Sequence, residues 1–114
     1  MWIMRDGAIV KYKANRMPIG MYFGEITNFT DNVIDIAPGD ILYMFSDGII
    51  DQFGYVDNEH KITKQFSVKR LQELLVKIHD LPMTVQKQLI EEALDKWENG
   101  HRQIDDITVM GIRI

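Results

Sequence analysis

Three carboxylates occupy positions from which a sheet protein could aim them together. Asp47 stands in Ser46-Asp47-Gly48, directly after the apolar run Ile41-Leu42-Tyr43-Met44-Phe45. Asp105 and Asp106 stand directly before Ile107-Thr108-Val109, close to the last residue. A carboxylate at the end of a buried strand is a rigidly held oxygen ligand, and Gly48 lets the backbone turn sharply behind it. If the two strands are antiparallel neighbours, the end of one lies beside the start of the other and the acids converge. Two unit charges about 4 Å apart repel by roughly 4 kcal/mol at an effective dielectric near 20. Hard divalent cations remove that penalty, and Mg²⁺ favours one or two carboxylates plus waters. A pair of such ions can hold a bridging water for in-line attack on phosphorus. The alternative is plain: Asp47 and Asp105 cap turns and Asp106 faces solvent. Spacing leaves both readings open.

The elements that must hold these acids follow from periodicity and punctuation. Pro38-Gly39 turns the chain into a strand over 41–46 that reads as buried on both faces and antiparallel to what precedes it. At the start, Trp2-Ile3-Met4-Arg5 and Ala8-Ile9-Val10-Lys11-Tyr12 flank Asp6-Gly7, a strong short-range hairpin signal. Residues 16–20, Arg-Met-Pro-Ile-Gly, read as a loop, and 25–37 as a strand or strand pair. After Asp47, 48–53 reads as a turn or helical piece and 54–64 as an exposed loop. Two helices come late. Ser67 is the expected N-cap of the first, with Val68, Leu71, Leu74, Leu75 and Ile78 along its inner face. Pro82 opens the second at its first helical position, with Val85, Leu89, Ala93, Leu94 and Trp97 inward and Asn99-Gly100 as the stop. The closing strand from Ile104 is apolar on both faces, which predicts a central place in a sheet. The fold class expected is α+β: about five antiparallel strands and two late helices.

Composition narrows the function. With 114 residues the chain is at most one domain, and 46% hydrophobic with 26% charged residues is a globular balance. A net charge of −4 argues against nucleic acid, which needs a basic face. No run approaches the roughly 18 apolar residues of a membrane span, and the opening residues do not read as a charged-then-apolar leader. Without cysteine there is no disulfide frame or thiolate chemistry, which fits a reducing, cytoplasmic setting. His60, His79 and His101 have no ligand spacing and read as surface residues. Neither a Gly-rich phosphate loop nor a Gly-x-Ser-x-Gly elbow is present.

Taken in order, Trp2-Ile3-Met4-Arg5-Asp6-Gly7, Met17-Pro18-Ile19-Gly20, Pro38-Gly39-Asp40, Ser46-Asp47-Gly48-Ile49-Ile50-Asp51, the helical pair and Asp105-Asp106-Ile107-Thr108-Val109 resemble the C-terminal half of SpoIIE-type phosphatases. These are the bacterial branch of the metal-dependent PPM (protein phosphatase 2C-like) serine/threonine phosphatases. The resemblance covers essentially the whole chain. It implies a β-sandwich flanked by helices around a two-metal Mg²⁺ or Mn²⁺ site, and hydrolysis of phosphoserine or phosphothreonine in a protein by metal-activated water. Carried over residue by residue, it makes Asp47 and Asp105 metal ligands and puts the Gly48 backbone beside the site. Asp51 stands where the family often has glutamate and takes no ligand role. The family domain is roughly twice as long, and its first half carries an Asp…Asp-Gly-His-type motif with no counterpart here. The chain is therefore expected to be the C-terminal part of such a domain, inactive alone. Its uncovered apolar sheet face would self-associate or dock on the missing half. The rivals are a non-catalytic interaction module derived from a phosphatase, and a structural α+β domain whose acids cap turns.

Overall fold

The structure, a computed structural model, describes residues 1–15, 20, 23, 24, 28–57, 59 and 61–114. Strands β1 (Trp2–Arg5) and β2 (Ala8–Lys11) open the chain, followed by β3 (Ile41–Phe45) and the short helix α1 (Gly48–Asp51). A hairpin of β4 (Phe53–Asp57) and β5 (Ile62–Gln65) precedes α2 (Ser67–Ile78), α3 (Met83–Glu98) and the last strand, β6 (Val109–Arg113). The chain is α+β, with a four-stranded antiparallel sheet in the order β2-β1-β3-β6 and a two-stranded sheet β4-β5. The loop expected over 16–20 lies outside the described residues except for Gly20, as does His60.

The β1–β2 hairpin forms as its turn chemistry predicts. Arg5 pairs with Ala8, leaving the two-residue loop Asp6-Gly7 with both φ values positive, at 49° and 74°. That is the type I′ signature, whose twist matches the flanking strands. The turn into β3 is equally legible: Gly39 has φ 91° and the Asp40 amide donates to the Ala37 carbonyl at 3.1 Å, a Pro-Gly type II arrangement.

Successive strand residues face opposite ways, so the register fixes two sheet faces. Trp2, Met4, Ile41 and Tyr43 are buried in one cluster with Ile49, Phe66, Leu71, Leu75, Ile78, Ile90 and Leu94. The helices thus cover one face. On the other, Ile3 pairs with Val10 and Leu42, Leu42 with Ile112, and Met44 with Met110. Ile3 is buried there, but Val10, Met44, Met110, Ile112 and Ile114 are each 40–49% exposed, so much of this face is open.

Several expectations need correction. No strand forms in 28–37, and 25–27 lie outside the described residues; β3 pairs instead with β1 and β6. The loop expected over 54–64 is largely the β4–β5 hairpin, whose exposed apolar residues Val56 and Ile62 belong to a small sheet. Strand β6 is an edge strand and starts at Val109, so Asp105 and Asp106 lie in irregular backbone before it. Its two-sided apolarity comes from an open outer face and an inner face toward the helices, with no second neighbour needed.

The helices shift slightly too. Phe66, not Ser67, holds the cap position of α2, with no side-chain cap bond. Phe66 is buried edge-on against Trp97, ring centroids 5.9 Å apart, and its amide donates to the Gln52 carbonyl at 2.8 Å, so packing overrides the local cap preference. Val68 is exposed, while Leu71, Leu75 and Ile78 form the buried stripe. Pro82 is the cap of α3 rather than its first residue. Leu94 is buried and Leu89 and Trp97 pack against the core as expected, but Val85 is exposed and the fully buried stripe is centred on Gln86, Ile90 and Leu94. A buried glutamine disguised it. Asn99 in the left-handed region and Gly100 at φ 90° end the helix as expected.

Candidate functional site

Strand β3 runs antiparallel to β6, and its last residue, Phe45, pairs with Val109. The chain therefore leaves β3 at Ser46-Asp47 beside the point where residues 105–108 enter β6. Three hydrogen bonds hold this seam. The Ser46 amide donates to the Thr108 carbonyl at 3.0 Å, the Ser46 hydroxyl donates to the Asp106 carbonyl at 2.8 Å, and the Thr108 amide donates to Ser46 Oγ at 2.9 Å. Gly48 completes it: a Cβ built there would lie 2.3 Å from the Asp106 carbonyl oxygen. Only glycine permits this approach, and the reason is contact rather than φ. The two acid-bearing segments touch, as convergence at a strand end requires.

Asp47, Asp105 and Asp106 are all exposed at this seam. Asp47 occupies the N-cap position of α1 at φ −64° and ψ −21°, yet its carboxylate makes no cap hydrogen bond. Its carbonyl, by contrast, accepts from the Ile50 and Asp51 amides, both at 3.0 Å. The turn-cap reading of Asp47 is therefore corrected: the backbone makes the turn and the side chain stays free of hydrogen bonds among the described residues. Asp105 does act as a local cap, since its Oδ1 accepts from the Asp106 amide at 2.7 Å, which still leaves lone pairs available. The Gly48 backbone lies beside the acids. Asp51 points to other work: its Oδ1 accepts from Gln65 Nε2 at 3.2 Å, tying α1 to β5.

The donors suit a hard divalent cation in type, being free or half-free carboxylate oxygens on two adjoining segments. Their number is smaller than such an ion needs. Among the described residues no group of three or more Asp, Glu, His or Cys side chains could hold a metal. Asp47 and Asp105 are of the donor type such an ion takes, and by themselves they do not make a coordination shell.

A cavity of about 560 Å³ lies between α3 and the β3–β6 edge, lined by Tyr43, Met83, Ile90, Leu94, Val109 and other residues. Asp47, Asp105 and Asp106 do not line it; Ile107, the residue after Asp106, is where the apolar cavity borders the polar seam. Beside it the Tyr43 hydroxyl donates to Gln86 Oε1 at 2.5 Å, and burial pushes the phenol up to about 12. Gln86 Nε2 and Arg113 Nη2 both donate to the carbonyls of His79 and Leu81, locking the α2–α3 connection to β6. His79 and His101 are half-buried rather than surface residues, and His101 stacks on Tyr55 with centroids 4.1 Å apart.

Two features of the site's support were not legible from spacing. Ser46 is one. The other is Arg5, whose Nε donates to the two carboxylate oxygens of buried Asp40 at 2.9 and 3.2 Å, while its Nη2 donates to Asp40 and to the Asp35 carbonyl. The Ala37 amide adds a bond to Asp40 at 2.8 Å. With the Arg5 guanidinium as the larger cause and that amide as the second, the Asp40 carboxyl is held at about 2. This pair ties the β1 end to the turn that launches β3.

Comparison with known proteins agrees with this architecture. The family model of stage II sporulation protein E (SpoIIE) matches residues 1–114. Among solved structures, the SiaA-PP2C domain of Pseudomonas aeruginosa is similar at a TM-score of 0.62 and 30% identity, over 71% of this chain and 31% of that one. The chain thus spans less than a third of that relative. No curated protein matches the sequence.

Proposed function

Because the chain belongs to the SpoIIE family, we propose that it forms the C-terminal part of a metal-dependent protein serine/threonine phosphatase domain and contributes Asp47 and Asp105 as metal ligands. The observation that carries this reading is the β3–β6 seam. It sets Ser46-Asp47-Gly48 against Asp105-Asp106 and leaves the Asp47 carboxylate uncommitted. Asp47 and Asp105 would help hold a Mg²⁺ or Mn²⁺ ion, which would supply charge neutralisation and lower the pKa of a bound water for hydrolysis of a phosphoserine or phosphothreonine ester. The chain's own residues clamp the Ser46-Asp47 segment to the backbone of Asp106 and Thr108, and the lack of a side chain at Gly48 permits that close approach.

The remaining ligands would come from sequence beyond these residues, in keeping with the small share of the SiaA-PP2C domain that the chain spans. The same source, or a second copy, would cover the open face carrying Met44, Met110 and Ile112. The substrate would be a phosphoprotein in bacterial signalling in the cytoplasm. Among the described residues no helix is long and apolar enough to cross a membrane.

The test is Mn²⁺-dependent hydrolysis of a phosphoserine peptide by this chain and by the longest reading frame containing it, each with Asp47→Asn. Activity in the longer protein, lost with Asp47→Asn, and none in the 114 residues is the expected result. Equal Mn²⁺-dependent activity with Asp47→Asn would refute the ligand assignment. The second reading, a binding module without catalysis, is favoured by the small donor set among the described residues. It would be supported if the longer protein neither hydrolyses the peptide nor responds to Mn²⁺.

A further inference from the structure

The ladder between β3 and β6 ends in an unusual way. Phe45 and Val109 are the last paired residues, and the next pair would be Ser46 with Thr108. One of the bonds expected there forms normally, from the Ser46 amide to the Thr108 carbonyl. The return bond is altered. The Thr108 amide donates to Ser46 Oγ, so the hydroxyl takes the place that the Ser46 carbonyl would hold in a continued ladder. The same hydroxyl donates a hydrogen bond to the Asp106 carbonyl at 2.8 Å. The backbone is thereby free to leave the sheet and coil into α1, while the opposite segment stays clamped.

We infer that Ser46 is the positioning residue of the acid site: its hydroxyl, accepting from the Thr108 amide and donating to the Asp106 carbonyl, fixes the Asp105–Asp106 segment against Asp47. This rests on the phosphatase reading for what the acids do, and on the hydrogen bonds alone for how they are held. A hydroxyl on this carbon is required because one atom must both accept and donate. Threonine satisfies that; alanine and valine do not. Without the hydroxyl the Thr108 amide must find water or the seam must part, and the spacing of Asp47 and Asp105 is no longer set. Partners that orient a ligand typically change metal affinity by about 10–100-fold when removed.

The experiment uses the longest reading frame with wild type, Ser46→Ala, Ser46→Val, Ser46→Thr and Asp47→Asn. Mn²⁺ alone is the probe, its affinity read from the free-ion paramagnetic signal. Hydrogen exchange of peptides covering 104–109 is followed by mass spectrometry. The expected result is faster exchange and affinity about 10–100-fold weaker for Ser46→Ala and Ser46→Val, with both recovered in Ser46→Thr. Should Ser46→Ala not fold, Ser46→Cys replaces it, being close in shape with a weak donor. Faster exchange with unchanged Mn²⁺ affinity would overturn the positioning role and leave a structural clip. Unchanged exchange would overturn the clip as well. No Mn²⁺ response in wild type, with Asp47→Asn silent, would instead refute the phosphatase reading and remove the role with it.

Discussion

Adding one methyl group at Gly48 should separate the two acid-bearing segments. The Cβ of Gly48→Ala would sit 2.3 Å from the Asp106 carbonyl oxygen and 2.9 Å from its carbon, both backbone atoms that no rotamer change can move away. Carbon contacts settle at about 3.5–4.0 Å, so the segments must part by about 1 Å. Overpacking of this kind costs roughly 1–3 kcal/mol. Against it, alanine is favoured over glycine inside a helix by about 1 kcal/mol, part of which is reduced freedom of the unfolded chain. Retreat of Asp106 also stretches the Ser46 bond to its carbonyl, worth about 1 kcal/mol. The balance is a loss of about 1–3 kcal/mol where an ordinary helical glycine would show a gain. Urea unfolding of wild type, Gly48→Ala, Ser46→Ala and the double variant reads this directly. Both single changes act on the Asp106 carbonyl, so the double variant should lose less than the sum. In the longer reading frame a displacement of 1 Å at the reacting geometry should lower phosphatase turnover by about 10²-fold. A Gly48→Ala protein as stable as wild type or more so, with its Mn²⁺ response intact, would refute this reasoning.

Two further outcomes follow from groups that support the site. Asp40, held at about 2 when folded against about 3.9 unfolded, contributes stability that is fully present above pH about 4 and is lost as pH falls toward 2. Acid titration of the melting temperature should show a decline in that window, and Asp40→Asn should flatten it; an unchanged slope would exclude the Arg5–Asp40 pair as its source. Tyr43→Phe leaves the buried Gln86 Oε1 without its donor and should cost about 1–3 kcal/mol by denaturant unfolding. In wild type, ultraviolet titration should find one phenol ionising near 12, and its absence would contradict the burial of Tyr43.

What the sequence made legible is local. The Asp6-Gly7 hairpin, the Pro38-Gly39 turn, the Asn99-Gly100 stop and the late helical pair each rest on chemistry within a few residues, and each forms. The meeting of the Asp47 segment with the Asp105-Asp106 segment was legible as a conditional, needing only that two apolar strands be antiparallel neighbours, and β3 and β6 are; the three carboxylates themselves do not gather into a metal-holding group among the described residues. The illegible parts depend on partners distant in sequence. Nothing in the spacing of Arg5 and Asp40 announces an ion pair on a buried carboxylate, because it is closed by tertiary packing of β1 on β3. Gln86 breaks the apolar phase of α3 because a polar side chain takes a core position, where Tyr43 and the His79 and Leu81 carbonyls satisfy it. Strand β6 looked central because a two-sided apolar pattern is the mark of a strand buried on both faces.

That last misreading is informative about the whole site. An edge strand with an apolar outer face is a liability that proteins ordinarily blunt with charge, proline or a cover. Here β6 carries Met110 and Ile112 outward with only Arg113 as a charge, and Arg113 is committed to the His79 and Leu81 carbonyls. The acids beside this edge, Asp47 after β3 and Asp105 in the segment before β6, have carboxylate oxygens without hydrogen bonds among the described residues. If the proposed ligand roles of Asp47 and Asp105 hold, a partial coordination shell and an open sheet face lie at the same β3–β6 edge. A single additional layer packed on this face, carrying carboxylates at its own strand ends, would meet both needs at once: it would bury the methionines and bring further oxygens to Asp47 and Asp105. Metal binding and apolar docking should then be coupled, each strengthening the other by the same factor.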